Sequence, residues 1–144
     1  FDAWSPAISL QKLHPLSDTS FIIGDLMVRR SSTEQTVFFP AAGIFPNSGD
    51  NRQFSASLTY IKALGVDGKF TFMPRMAYSH TQYLKSPSKG RDDRLFSIGA
   101  SLMYQWTEWL SAQTFLTNAS MSSNGISSFS ATDFGLSLSA SHRF

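Results

Sequence analysis

The sequence predicts an all-β fold, an antiparallel up-and-down transmembrane β-barrel of about eight strands, or the C-terminal part of a larger barrel. Three observations predict it. Apolar and small polar residues alternate with a period of two, the strand period, and most cleanly over residues 134–144. The polar connections between these segments alternate between short and long. Charged residues are only 15% of the chain while aromatics reach 14%, with 13 Phe. A typical globular domain carries roughly 25% charge, so this composition suits a barrel wall better than a solvated surface.

The rest of the composition narrows the possibilities further. A length of 144 residues predicts one domain, 1–144. Mean hydropathy is −0.12, as expected where outward apolar residues alternate with inward polar ones. No apolar run is long enough for a spanning helix. The chain has no Cys, which excludes disulfides and thiolate metal sites. A formal net charge of +2 is too small to imply a nucleic-acid partner. The first residue is Phe1, with no Met and no apolar leader, which predicts a processed mature chain or a fragment.

Taken in order, the segments share one rule, apolar or aromatic out and small or polar in. Residues 3–13 put Trp4, Ile8 and Leu10 outward. Residues 20–30 put Ile22, Gly24, Leu26 and Val28 outward and leave Asp25 and Arg29 inward. Residues 35–46 are read as a strand of unclear phase, containing Phe38, Phe39, Ile44 and Phe45 together with Pro40 and Pro46. Residues 54–64 set Phe54, Ala56, Leu58 and Tyr60 against Ser55, Ser57 and Thr59. Residues 69–80 set Phe70, Phe72, Pro74, Met76 and Tyr78 against Lys69, Thr71, Arg75 and Ser79. Residues 95–106 set Phe96, Ile98, Ala100, Leu102, Tyr104 and Trp106 against Ser97, Gly99, Ser101 and Gln105. Residues 109–121 place Leu110, Ala112 and Leu116 opposite Ser111 and Gln113, with Phe115 breaking the pattern. The last segment sets Phe134, Leu136, Leu138, Ala140, His142 and Phe144 against Gly135, three serines and Arg143.

Between these segments, 65–68 and 107–108 are tight turns, whereas 46–52, 81–94 and 122–131 are longer polar loops. Membrane barrels alternate in this way. Trp106, Trp109, Tyr78, Tyr83, Phe129 and Phe144 fall near segment ends, the pattern of an aromatic girdle at headgroup level.

The terminal strand resembles the C-terminal signature of Gram-negative outer-membrane β-barrel proteins. Phe134, Leu136, Leu138 and Phe144 match its alternating apolar positions and aromatic end, and Gly135 its small-residue position. His142 departs from the pattern and Ala140 matches it weakly. The motif covers about eleven residues and identifies an architecture, not a particular protein. The resemblance implies residence in the bacterial outer membrane with the C-terminus periplasmic and loops 46–52, 81–94 and 122–131 external. It implies contact with outer-membrane lipid and lipopolysaccharide, and recognition of the last strand by the outer-membrane assembly machinery.

Candidate chemistry is sparse. The polar residues expected in the lumen are Asp25, Arg29, Arg75, Gln105 and Gln113, with Lys69 a further candidate. Other inward positions are mainly small, so the lumen is a narrow wet channel, is filled by loops or another chain, or belongs to a larger barrel. Lys85, Lys89, Arg91 and Arg94 form a basic cluster on one loop, suited to lipopolysaccharide phosphates. Asp92, Asp93 and Asp50 match no cation-loop spacing, so no metal and no cofactor is expected. His80 follows Ser79, but neighbouring strand residues point to opposite faces and form no dyad. The expected function is that of a non-enzymatic scaffold or partner-binding barrel, possible partners including another envelope protein. The alternatives are a small-solute pore, a lipid-modifying outer-membrane enzyme (a hydrolase or acyltransferase) built around His80, and a soluble ligand-binding barrel.

Overall fold

The computed structural model describes residues 3–33, 36–39, 43–46, 50–65, 67–85, 88–125 and 128–141. Its elements in chain order are β1 (Ala3–Trp4), β2 (Ala7–Ser17), β3 (Ser20–Thr33), β4 (Thr36–Phe39), β5 (Gly43–Pro46), β6 (Asn51–Leu64), β7 (Phe70–Tyr83), β8 (Asp92–Thr107), β9 (Leu110–Ser123) and β10 (Phe129–Ala140). No helix occurs among the described residues.

One antiparallel meander dominates. β1 and β2 lie along the same edge of β3, bridged where Arg30 N donates to Pro6 O (3.0 Å). From there the order is β3, β6, β7, β8, β9 and β10, so the sheet has seven strand positions. The expected up-and-down all-β topology is present. The expected closed barrel of about eight strands is not: β2 and β10 are edges that do not pair with each other.

The missing strand is the one read over 35–46. That stretch forms β4 and β5, a separate two-stranded hairpin in the connection from β3 to β6. Pro46, the last residue of β5, fits the difference, because a proline cannot donate to a ladder and ends or bends a strand; Pro40 lies outside the described residues. Pro74 shows the same effect inside the sheet. The β6–β7 ladder pairs Thr59 with Arg75 and resumes at Lys62 with Phe72, leaving a gap opposite Pro74. Pro15 sits on the edge strand β2, next to a register shift.

Strands also run further than their apolar pattern. β10 begins at Phe129, pairing with Met121, so the loop read as 122–131 shrinks to 124–128. Similarly β7 extends to Tyr83 and β8 begins at Asp92. Backbone pairing does not need greasy side chains, so polar strand ends carry no signal that separates them from loop. Of the terminal signature, Phe134, Gly135, Leu136 and Leu138 lie in β10, while Phe144 and His142 lie outside the described residues.

The two faces differ as the alternation predicts. Register pairs Leu10–Leu26, Leu58–Met76, Tyr78–Phe96 and Leu116–Phe134 share the apolar face. Among the described residues no apolar side chain is buried. Phe134 is 80% exposed and Leu136 73%, so the greasy face is bare rather than packed on a second layer. Near the tight turns it carries Phe70 against Tyr104 (ring centroids 4.5 Å) and Tyr104 edge-on to Trp106 (5.3 Å).

The apolar area is a slanted band. Toward the long-loop end, its last apolar side chains are Val28 on β3, Phe54 on β6, Tyr78 on β7, Phe96 on β8, Leu116 on β9 and Phe134 on β10. Followed through the register, Val28 and Phe54 lie level with His80, and Leu116 and Phe134 level with Pro74. The boundary therefore drops by six residues along β7 over the five steps from β3 to β10. At ~3.3 Å per residue and ~4.8 Å between strands, it is inclined about 40° to the hydrogen-bonding direction. Strands of membrane barrels tilt by roughly 35–45°.

Candidate functional site

The polar face collects the residues expected to line a lumen. Asp25, Arg29, Arg75, Gln105 and Gln113 share it with Ser55, Ser57, Ser79, Ser97 and Ser137. Asp25 is the hub. It accepts from Gln11 Nε2 (2.7 Å) on β2 and from Ser57 Oγ (3.0 Å) on β6, and Arg75 on β7 reaches the same Ser57 Oγ at 3.5 Å. Register puts Gln11, Asp25 and Ser57 in one row, so residues far apart in sequence meet by strand pairing alone.

Two open hollows mark this face. One, about 530 Å³, has Asp25 and Arg75 on its wall; the other, about 560 Å³, runs from Arg75 to Gln113, Phe115 and Ser137. Arg75 thus stands between them. Arg29 lies nearer the long loops, and Gln105 lies beside the register shift next to the 108–109 turn. Lys69 lies just before β7, its carbonyl accepting from Gln105 N (2.9 Å) and its ammonium 4.0 Å from Asp67. The expectation of mainly small inward residues also needs correcting. Met27, Met73, Leu95, Phe115 and Met121 face the same side. Phe115, which broke the outward pattern, lies over Gly135, where a Cβ would meet its ring at 2.5 Å. The small residue of the terminal strand makes room for this ring.

A second polar cluster ties the long-loop end together. Asp93, at the foot of the β7–β8 loop, is nearly buried and accepts from Arg91 Nε (2.9 Å) and Ser123 Oγ (2.6 Å). The Arg91 hydrogen bond, joined by that of Ser123, holds the Asp93 carboxyl below its usual range against its desolvation, and the same pairing raises Arg91. The Arg91 guanidinium also lies 4.6 Å over the Tyr83 ring, a cation–π contact. Asn124 joins the next loop on, donating to Gly90 O (3.0 Å) and accepting from Asp92 N (2.7 Å). Lys85 reaches Asp50 at 3.5 Å.

These contacts divide the basic cluster read for lipopolysaccharide. Lys85 and Arg91 are paired within the chain, Lys89 stays on the β7–β8 loop, and Arg94 lies on the apolar face just above Phe96. The aspartates do not converge. Asp92 and Asp93 point to opposite faces, and no metal-holding group of acidic and His side chains occurs among the described residues.

His80 lies on the apolar face with Nε2 3.1 Å from Asp92 Oδ1. Its register neighbours are Phe54 and Arg94, and Ser79 faces the other way, paired with Ser55 and Leu95. The site thus pairs His80 with a carboxylate, while Ser79, its neighbour in sequence, lies on the other face. No family model matches the chain, and neither does any curated protein or solved structure.

Proposed function

We propose that this sheet is wall of a transmembrane β-barrel in the bacterial outer membrane, a non-enzymatic scaffold or partner-binding component with its tight turns and C-terminal end periplasmic. The observation that carries the reading is the slanted apolar band on an unburied face. A soluble sheet would cover that face with a second layer. A lipid-facing sheet leaves it bare, and a band level in the membrane crosses tilted strands at a slant such as the one measured here.

The connections support the orientation, with tight turns at 18–19 and 108–109 at one end and the longer segments at the other. The bonded loop cluster around Asp93 gives that end a fixed surface, as a partner-binding face requires. The test is partition. The purified chain should enter phosphatidylcholine vesicles, resist extraction by alkaline carbonate, and migrate differently on gels with and without heating. Full solubility without detergent and no vesicle association would refute the reading.

Conduction of small solutes is the second reading, favoured by the two hollows that meet at Arg75. In planar bilayers, a pore through this face would change its ion selectivity when Arg75→Glu is introduced. An absence of single-channel currents would leave the scaffold reading.

A further inference from the structure

Just beyond the apolar band, at the long-loop end, the chain sets cations on neighbouring strands. Above Val28 on β3 stands Arg30, above Phe54 on β6 stands Arg52, and above Phe96 on β8 stands Arg94. His80 occupies the same position above Tyr78 on the intervening β7. On a slanted boundary these residues are level with one another although they are not in one register row.

Arg30 and Arg52 are direct register partners. Like charges directly opposite on paired strands repel. All three arginines are exposed, and among the described residues none of their guanidiniums has an ion pair or a side-chain hydrogen bond. The nearby carboxylate on this face, Asp92, is held by His80. A counter-anion from outside would relieve the repulsion. Beside Arg94 there is a hollow of about 230 Å³ walled by Asp92, Ser122, Ser123 and Asn124, where the Ser122 hydroxyl is a hydrogen-bond donor next to the charge.

We infer that Arg30, Arg52 and Arg94 form a binding belt for the phosphate of anionic lipids in the leaflet at the long-loop end. The inference rests on the membrane reading above. Position selects a lipid over a dissolved anion. An anionic lipid can lay its acyl chains on the apolar band while its phosphate reaches the guanidiniums, and Arg binds phosphate through two parallel N–H groups.

Trp4, exposed on the apolar side of β1 near this level, is a built-in reporter. The test uses the 144-residue chain with Trp106→Phe and Trp109→Phe, folded in phosphatidylcholine vesicles containing brominated phosphatidylglycerol or brominated phosphatidylcholine. Quenching of Trp4 should show phosphatidylglycerol preferred by roughly fivefold for each engaged arginine, on the order of a hundredfold for three. The preference should vanish in Arg30→Gln/Arg52→Gln/Arg94→Gln and persist in Arg29→Gln, whose side chain is on the polar face. Inorganic phosphate at millimolar concentration should not remove it. Equal quenching by the two lipids, an unchanged preference in the triple variant, or its removal by inorganic phosphate would overturn the inference while the membrane reading stood. A chain that enters neither vesicle would overturn both.

Discussion

Replacing Leu102 by Arg separates a lipid-facing sheet from a water-facing one. On β8 the apolar side chains run from Phe96 to Trp106. Ten residues at ~3.3 Å, tilted about 40°, span about 25 Å of depth, the height of the apolar band in membrane barrels. Leu102 lies one residue from the middle of that run, about 3 Å from the midplane. Arg at such depth costs about 2–4 kcal/mol, or roughly 30-fold to 1,000-fold in the folding equilibrium. Leu95 is an internal control: it is 37% exposed against 38% for Leu102, on the same strand but the polar face. Leu95→Arg should cost less than about 1 kcal/mol, as a surface substitution away from packed features does. Urea titration of the vesicle-folded chain, read by heat-modifiable gel migration, measures both. Equal costs for the two variants would refute the assignment of the faces.

Three further outcomes follow from the geometry. Gly99→Ala places a Cβ 2.6 Å from the Leu116 carbonyl oxygen and 2.7 Å from Thr117 Oγ1; because one of these is backbone, the β8–β9 ladder must shift, and the urea midpoint should fall by the equivalent of about 1–3 kcal/mol. Asp93 has its depressed pKa only when folded, so its stabilisation is complete above the unfolded value of about 3.9 and is lost as pH falls through the lower folded value. Protease cleavage of the 84–91 loop should accordingly rise in acid, and Asp93→Asn should flatten that dependence. Tyr83→Leu removes the ring beneath Arg91 (4.6 Å) and should loosen the same loop by about 0.5–1 kcal/mol, seen as faster amide exchange at Gly90 and Arg91 with β10 unchanged.

The period-two pattern carried the sheet and its faces. The alternations at 54–64 and 95–106 fall within β6 and β8, and Asp25, Arg29, Arg75, Gln105 and Gln113 share the face assigned to them. Density of apolar residues misled at 35–46, where Phe38 and Ile44 suggested a spanning strand but pair with each other in a hairpin that ends at Pro46. Composition also misplaced strand ends, since Ser122 and Ser123 pair with β8 without any apolar signal. The link from Arg91 through Asp93 to Ser123 was not legible, because only the register of β8 and β9 brings Ser123 beside Asp93. Arg30 and Arg52 went unread for a related reason. Each is an ordinary charge at a segment end until pairing sets them opposite one another; counting to the first polar residue beyond each apolar run would have found them.

The two open edges impose a parity rule. β2 and β10 both run from the long-loop end to the tight-turn end. Brought together they would be parallel neighbours in a sheet whose every other pair is antiparallel. A second copy set alongside in the same orientation meets the same mismatch, because its β10 arrives beside β2 pointing the same way. Only an odd number of additional strands, the first and last running opposite to these edges, can join them with antiparallel ladders throughout. The edges therefore share one direction, and an antiparallel ladder on either needs a strand running from the tight-turn end to the long-loop end.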